Sequence, residues 1–155
     1  MAVSVLFVCL GNICRSPLAE AAFRRAARQA GLDLRIDSAG TGDWHVGQPP
    51  DTRAQAVAKK HGVNISDYRA RQVAAADFGC FTHIVALDAQ NLADLERLRP
   101  DGAGAQLSLL LDHVPGHRGR SVTDPYCGDD EAFALAWSEV VMGATALLEQ
   151  LELGR

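Results

Sequence analysis

The 155-residue chain predicts an α/β domain, a four-stranded parallel sheet sandwiched between two layers of helices. Three observations carry this. Short runs rich in Val, Ile, Leu and Phe alternate along the chain with stretches of helical period. The changes of period fall at Gly, Pro, Ser or Asp, the residue types that stop or start such elements. No internal repeat, low-complexity segment or linker interrupts the alternation, so residues 1–155 read as one domain.

The elements follow in order. Val3 to Val8 is an apolar run that reads as a buried strand. Ser16-Pro17 reads as a helix start, with Ser16 as N-cap and Pro17 in the first helical position. Leu18, Ala22, Phe23, Ala26, Ala27 and Ala30 keep the helical period until Gly31 stops it. Leu34 to Ser38 is a second strand, and Ala39 to Pro50 a Gly/Pro loop carrying Trp44. Asp51 caps a helix that ends near His61-Gly62. After a helical turn near Ala74 to Phe78, Thr82 to Leu87 forms the third strand and Asn91 to Arg99 a helix. Gln106 to Leu111 is the fourth strand; a polar loop from Asp112 to Cys127 leads to a last helix from about Asp130 to Leu151.

Composition narrows the function. Hydrophobic residues make up 48% and charged residues 22%, as in ordinary water-soluble domains. A net charge of -4 argues against a general nucleic-acid or anionic-membrane binder, which needs a basic surface. The apolar start has no basic leader and breaks at Gly11-Asn12, so it does not read as a secretion signal. No segment is expected to supply the roughly 20 apolar residues of a membrane span. The expected compartment is the cytoplasm, where Cys9, Cys14, Cys80 and Cys127 rest as thiols.

The chemistry concentrates in the first strand-to-helix turn, Cys9-Leu10-Gly11-Asn12-Ile13-Cys14-Arg15-Ser16. In parallel α/β sheets ligands bind beyond the carboxyl ends of the strands, where this turn lies. Successive backbone N–H groups can curl round an anion there, and the helix N-terminus favours negative charge. Gly11 and Asn12 tolerate the left-handed backbone of a tight cradle. Arg15, six positions after Cys9, can return a planar guanidinium to two phosphate oxygens. The same donors favour a thiolate on Cys9, the nucleophilic form. The turn lacks the Gly-Lys-Ser/Thr ending of the nucleotide-binding loop.

The run Val8-Cys9-Leu10-Gly11-Asn12-Ile13-Cys14-Arg15-Ser16-Pro17 resembles the signature of the low-molecular-weight protein tyrosine phosphatases. The likeness continues through Asp37-Ser38-Ala39-Gly40-Thr41, Ala70-Arg71-Gln72, Asn91-Leu92 and Asp124-Pro125-Tyr126, over nearly the whole chain. It implies a flavodoxin-like fold and a phosphatase that works without metal or cofactor. It further implies a phosphocysteine intermediate on Cys9, with Arg15 and the loop Leu10, Gly11, Asn12, Ile13, Cys14 and Ser16 holding the phosphate. Asp124 takes the place of the general acid and base. Asp129 and Asp130 are rivals, better suited to the N-terminus of the last helix.

Other roles follow the same resemblance. Ser16 donates to the Cys9 sulfur, alone or together with a capping role, and Asn12 with Ser38 holds the cradle open. Trp44 and Tyr126 form aromatic walls for the substrate ring. Cys14 resembles a redox partner that closes a reversible disulfide with Cys9. Cys80 is expected to be buried and inert. Cys127 replaces the second tyrosine that follows Tyr126 in some relatives. The implied partner is a phosphotyrosine-containing protein, with a tyrosine kinase as the counterpart that makes it. Nucleic acid and membrane are not expected partners, and the chain is expected to be a monomer or to self-associate weakly.

The histidines give no metal site. Pro115-Gly116 separates His113 from His117, His61 sits at a helix end, and His45 is expected to stay off the pocket rim. Three rival functions remain. An arsenate reductase on this scaffold needs relay cysteines after the third strand, where Ala86-Leu87-Asp88-Ala89-Gln90 has none. Phosphoarginine phosphatases commonly carry threonine at the position of Ile13. A binding or redox-sensing module would not require Cys9, Arg15, Ser16 and Asp124 together.

Overall fold

The computed structural model of the chain describes residues 2–153; Met1, Gly154 and Arg155 of the expected domain span lie outside it. Four parallel strands, β1 (Ser4–Cys9), β2 (Arg35–Gly40), β3 (His83–Ala86) and β4 (Gln106–Leu109), form a sheet in the order β2-β1-β3-β4. β1 is therefore central, with Cys9 in register with Gly40 on one side and Val8 with Ala86 on the other. The strand order reverses beside β1, so the crevice beyond its carboxyl end is the natural ligand site.

Strand alternation sorts β1 between two cores. Val5 and Phe7 face helices α1 (Arg15–Gln29) and α5 (Asp130–Leu153), and Phe7 meets Phe23 edge-on at 5.5 Å between ring centres. Leu6 and Val8 face the opposite layer with Phe78 and Leu95, from the single-turn helix α3 (Asp77–Cys80) and helix α4 (Ala89–Leu98). Helix α2 (Thr52–Lys60) packs on the α1/α5 side. Burying each large side chain of these cores contributes about 1.5–3 kcal/mol.

Most sequence-predicted elements are present, with informative differences. Asp51 caps α2 as expected, its carboxylate accepting from the Arg53 backbone N–H at 2.8 Å. β4 stops at Leu109 because Leu110–His113 tightens into a 3₁₀ turn, and α4 starts at Ala89, capped by Asp88. Ser16 is not the N-cap of α1. Cys14 holds that position without a side-chain bond, and Ser16 and Pro17 lie inside the first turn. The missing N–H of Pro17 costs nothing there, since first-turn amides have no intrahelical acceptor. Cys80 is exposed rather than buried, because α3 ends at the surface. The expectation that no segment is long and apolar enough for a membrane span also needs correction: by length and composition α5 meets that measure over Asp130–Glu152. Its apolar face, including Phe133, Trp137, Val140 and Leu147, is spent on the core.

Candidate active site

Cys9 ends β1, and the chain turns back on itself before α1. Asn12 takes the turn at φ 58, the left-handed conformation that asparagine tolerates. Loop 41–42 braces the turn: the N–H groups of Thr41 and Gly42 donate to the carbonyls of Cys9 and Leu10, both at 2.9 Å. Gly40 permits this approach. A Cβ there would lie 2.7 Å from the Leu10 carbonyl oxygen and 3.2 Å from the Asn12 nitrogen.

Inside the turn, the Asn12 N–H points at the Cys9 sulfur at 3.3 Å, and the Ser16 hydroxyl lies 3.0 Å from the same atom. With Cys9 as thiolate, the hydroxyl is the donor. Asn12 organises the rest. Its amide group donates to Ser16 Oγ at 2.8 Å and to Ser38 Oγ at 3.0 Å, while its oxygen accepts from the Arg71 N–H at 3.0 Å. Ser38 in turn donates to Glu20 at 2.7 Å, and Arg24 closes the chain with an ion pair to Glu20 at 2.8 Å. Burial pushes the Glu20 carboxyl above its ordinary range despite these donors. Asn12, Ser16, Ser38 and Glu20 are all buried, so the network fixes the turn where water cannot compete.

Arg15 is 4% exposed and held from behind, its Nη1 donating to Asp88 Oδ2 at 2.7 Å and to the Val122 carbonyl at 3.2 Å. Nη2 faces Asp124 Oδ2 at 3.8 Å across the pocket mouth. The paired carboxylates and the Cys9 sulfur hold the guanidinium firmly protonated, against a burial effect of opposite sign. Asp88 does a second job, capping α4 through a 2.7 Å bond from the Asn91 N–H. One carboxylate thus ties the arginine to the end of β3.

Around these groups lies a pocket of about 180 Å³ with Cys9 and Arg15 at its floor. Leu10, Ile13, Trp44 and Tyr126 wall it, and Asp124 stands at its rim. Trp44 is 66% exposed, and the edge of its ring lies against Gly42, where a Cβ would fall 1.9 Å from it. His45 also lines the pocket, contrary to expectation, because its ring packs above Gly11; its Nδ1 bonds Gln48 at 2.9 Å. Asp129 accepts from the Ala132 N–H at 3.1 Å, at the start of α5, so the rival acid is committed to that helix. Cys14 is free, and burial, followed by the charges of Asp51, Cys9 and Asp124, raises its thiol well above the ordinary thiol range. His61 caps α2 and stacks on Trp137 at 5.1 Å, far from chemistry. Among the described residues no cluster of His, Cys, Asp or Glu is arranged to hold a metal.

The structure therefore brings Cys9, the turn, Arg15, Asp124, Trp44 and Tyr126 to one pocket with Ser38 behind it, and adds residues the sequence did not nominate, among them Asp88, Glu20 and Arg53. Asp88 had a signal, an acid directly after a buried strand at the carboxyl edge of the sheet. Glu20 had one too, four residues after Ser16 and so on the same helix face. Arg53 had none, since its contacts with the loop of Asp124 lie 73 and 75 positions away in the chain.

Fold and pocket define the class first: an α/β protein whose pocket, at the carboxyl end of the central strand, pairs a cysteine and a buried arginine with an apolar wall. Comparison with known proteins makes this specific. The family model described as low molecular weight phosphotyrosine protein phosphatase matches residues 4–154. The low molecular weight phosphotyrosine protein phosphatase of Schizosaccharomyces pombe is 43% identical over 142 residues, covering 90% of each chain. A crystal structure of a protein tyrosine phosphatase from Entamoeba histolytica, with Hepes in its active site, superposes with a TM-score of 0.93 at 34% identity, covering 99% of both chains. A Drosophila arginine phosphatase superposes at 0.91 with 31% identity, covering 97% of this chain and 98% of its own. The chain belongs to the low molecular weight phosphotyrosine protein phosphatase family.

Proposed function

We propose that this phosphatase hydrolyses phosphotyrosine in proteins, and small aryl phosphates, through a phosphocysteine on Cys9. The observation that carries the reading is one pocket holding a sulfur met by two donors, a buried arginine and a facing carboxylate. The Cys9 thiolate attacks phosphorus in line; an S–P bond forms as the P–O bond to the phenol breaks. Amide groups of the turn and the Arg15 guanidinium hold the three remaining phosphoryl oxygens, where charge is spread in the transition state. The amides of Gly11, Ile13 and Cys14 make no hydrogen bond among the described residues, so they are free for those oxygens. Asp124 gives its proton to the departing phenolate, a contribution of about 10²- to 10⁴-fold. It then takes a proton from the water that attacks phosphorus and returns the thiolate, which the Ser16 hydroxyl stabilises as leaving group.

Leu10, Ile13, Trp44 and Tyr126 supply flat or apolar surface for a phenyl ring. This lining favours an aromatic phosphomonoester over phosphoarginine, for whose guanidinium the pocket offers a single carboxylate, Asp124. The four cysteines suit a reducing cytoplasm, and the negative net charge suits neither nucleic acid nor an anionic membrane as partner. Cys14 serves as redox partner: a peroxide oxidises Cys9 to the sulfenic acid, and the Cys14 thiol displaces water from it to form the disulfide.

The test is hydrolysis of an aryl phosphate at mildly acidic pH, with reductant and chelator, by wild type, Cys9→Ser and Asp124→Ala. Turnover should survive the chelator, vanish in Cys9→Ser and fall about 10²-fold or more in Asp124→Ala. Activity retained by Cys9→Ser would sink the covalent mechanism.

A further inference from the structure

The segment that carries Asp124 belongs to no helix or strand. Its entry is held by Val122, bonded to Leu87 and Arg15, and by the Thr123 N–H on Glu139 at 3.1 Å. Its far side, residues 124–128, needs an anchor of its own. Its own bonds are local: the Tyr126 N–H donates to Asp124 Oδ1 at 3.1 Å and the Gly128 N–H to the Pro125 carbonyl at 2.8 Å. Among the described residues, the hydrogen bonds that tie residues 124–128 to another element both come from one side chain. Arg53 donates through Nη2 to the Tyr126 carbonyl at 2.9 Å and through Nη1 to the Gly128 carbonyl at 3.1 Å. Its guanidinium also lies over the rings of Phe133, at 4.6 Å, and Tyr126, at 5.8 Å.

The clamp is itself held to the cradle. Asp51 takes Arg53 Nε at 3.0 Å on one oxygen and Nη2 at 3.0 Å on the other. The Asp51 backbone N–H donates to the carbonyl of Ile13 at 2.8 Å, within the phosphate-binding turn. A continuous path therefore runs from Ile13 through Asp51 and Arg53 to Tyr126, the residue whose amide holds the Asp124 carboxylate. Four of the five guanidinium N–H donors are used in this way. A lysine, with three donors on a single nitrogen, cannot make these four bonds, which leave from three nitrogens of one plane.

We infer that Arg53 is a positioning residue for the general acid, fixing the distance between the Asp124 loop and the phosphate-binding turn. It touches no reacting atom. It acts by setting where Asp124 stands when the phenol leaves, and Tyr126 moves with it as the pocket wall. The inference rests on the proposed role of Asp124.

The effect should therefore depend on how much the leaving group needs a proton. The experiment measures kcat/KM, which reports the steps through phenol departure, for 4-nitrophenyl phosphate and phenyl phosphate. Wild type, Arg53→Met, Arg53→Lys, Asp124→Ala and the double variant Asp124→Ala/Arg53→Met are compared, with thermal unfolding to confirm that each is folded. Arg53→Met should lose about tenfold or more on phenyl phosphate and several-fold less on 4-nitrophenyl phosphate, a better leaving group. Arg53→Lys should show the same pattern at smaller amplitude, and it carries the test if Arg53→Met does not fold. In the Asp124→Ala background the leaving-group dependence of the Arg53 effect should disappear. Equal losses on both substrates, or an undiminished selective loss without Asp124, would overturn the inference. The role of Asp124 is judged separately, from the single variant: if Asp124→Ala alone shows no leaving-group-dependent loss, the acid assignment fails first.

Discussion

Gly40→Ala adds a single methyl group where the end of β2 presses against the backbone of the first strand-to-helix turn. The new Cβ would fall 2.7 Å from the Leu10 carbonyl oxygen, where ordinary contact begins near 3.4 Å, so about 0.7 Å must be found. It would also press on the Asn12 nitrogen at 3.2 Å, the amide that points at Cys9 Sγ. Both neighbours are backbone and both belong to the turn between β1 and α1, so neither can swing aside alone. Overpacking of this kind costs about 1–3 kcal/mol. In a chain of this length that lowers the melting temperature by roughly 2–4 °C for each kcal/mol. Displacing the turn by most of an ångström should lower kcat/KM by on the order of 10²-fold. Gly42→Ala is the matched control. Its methyl would collide with the ring of Trp44, an exposed side chain that can turn away, so the wall shifts while the cradle stays. Aryl phosphate hydrolysis and thermal unfolding of both variants decide the matter. A Gly40→Ala enzyme with wild-type kcat/KM, or one no worse than Gly42→Ala, would show that this contact does not set the cradle.

Two further predictions concern buried charge. Asp88→Asn keeps the oxygen that caps α4 but turns an amide donor toward Arg15 Nη1; losing the buried pair should cost about 2–3 kcal/mol and lower kcat/KM about tenfold or more, read from denaturant unfolding and aryl phosphate kinetics. Glu20 has its carboxyl raised by burial, so the folded state holds that proton to higher pH than the unfolded chain does. Its contribution to stability therefore falls as pH rises from the ordinary carboxylate value through the raised one. Unfolding of wild type and Glu20→Gln across mildly acidic to neutral pH should show the variant gaining on wild type as pH rises; a gap that stays constant or widens the other way refutes the reading.

The order of strands and helices was legible in the sequence because hydrophobic period and punctuation are local properties. The first turn was legible for the same reason: Cys9, Gly11, Asn12, Arg15 and Ser16 lie within eight residues, and the backbone path from strand to helix dictates what they can surround. Where local rules failed, the path of the folded backbone had decided the residue's surroundings. Ser16 reads as an N-cap, yet its hydroxyl is taken by the Cys9 sulfur and by Asn12, which leaves the cap to Cys14. Cys80 precedes a buried strand but ends a surface turn, and His45 reaches the rim because loop 41–50 folds over Gly11.

The sequence by itself thus determined the fold class and nominated the nucleophile and phosphate cradle proposed above, which lie in contiguous residues. Only the tertiary structure decided which carboxylate backs Arg15, which network stiffens Asn12 and which arginine holds the loop of Asp124. Those partners lie 73 residues apart for Arg15 and Asp88, 26 for Asn12 and Ser38, and 73 for Arg53 and Tyr126. No local period records such pairs. They meet because the parallel sheet gathers the carboxyl ends of β1, β2 and β3 at one edge, and charges that emerge there from buried strands must find partners among the loops they share.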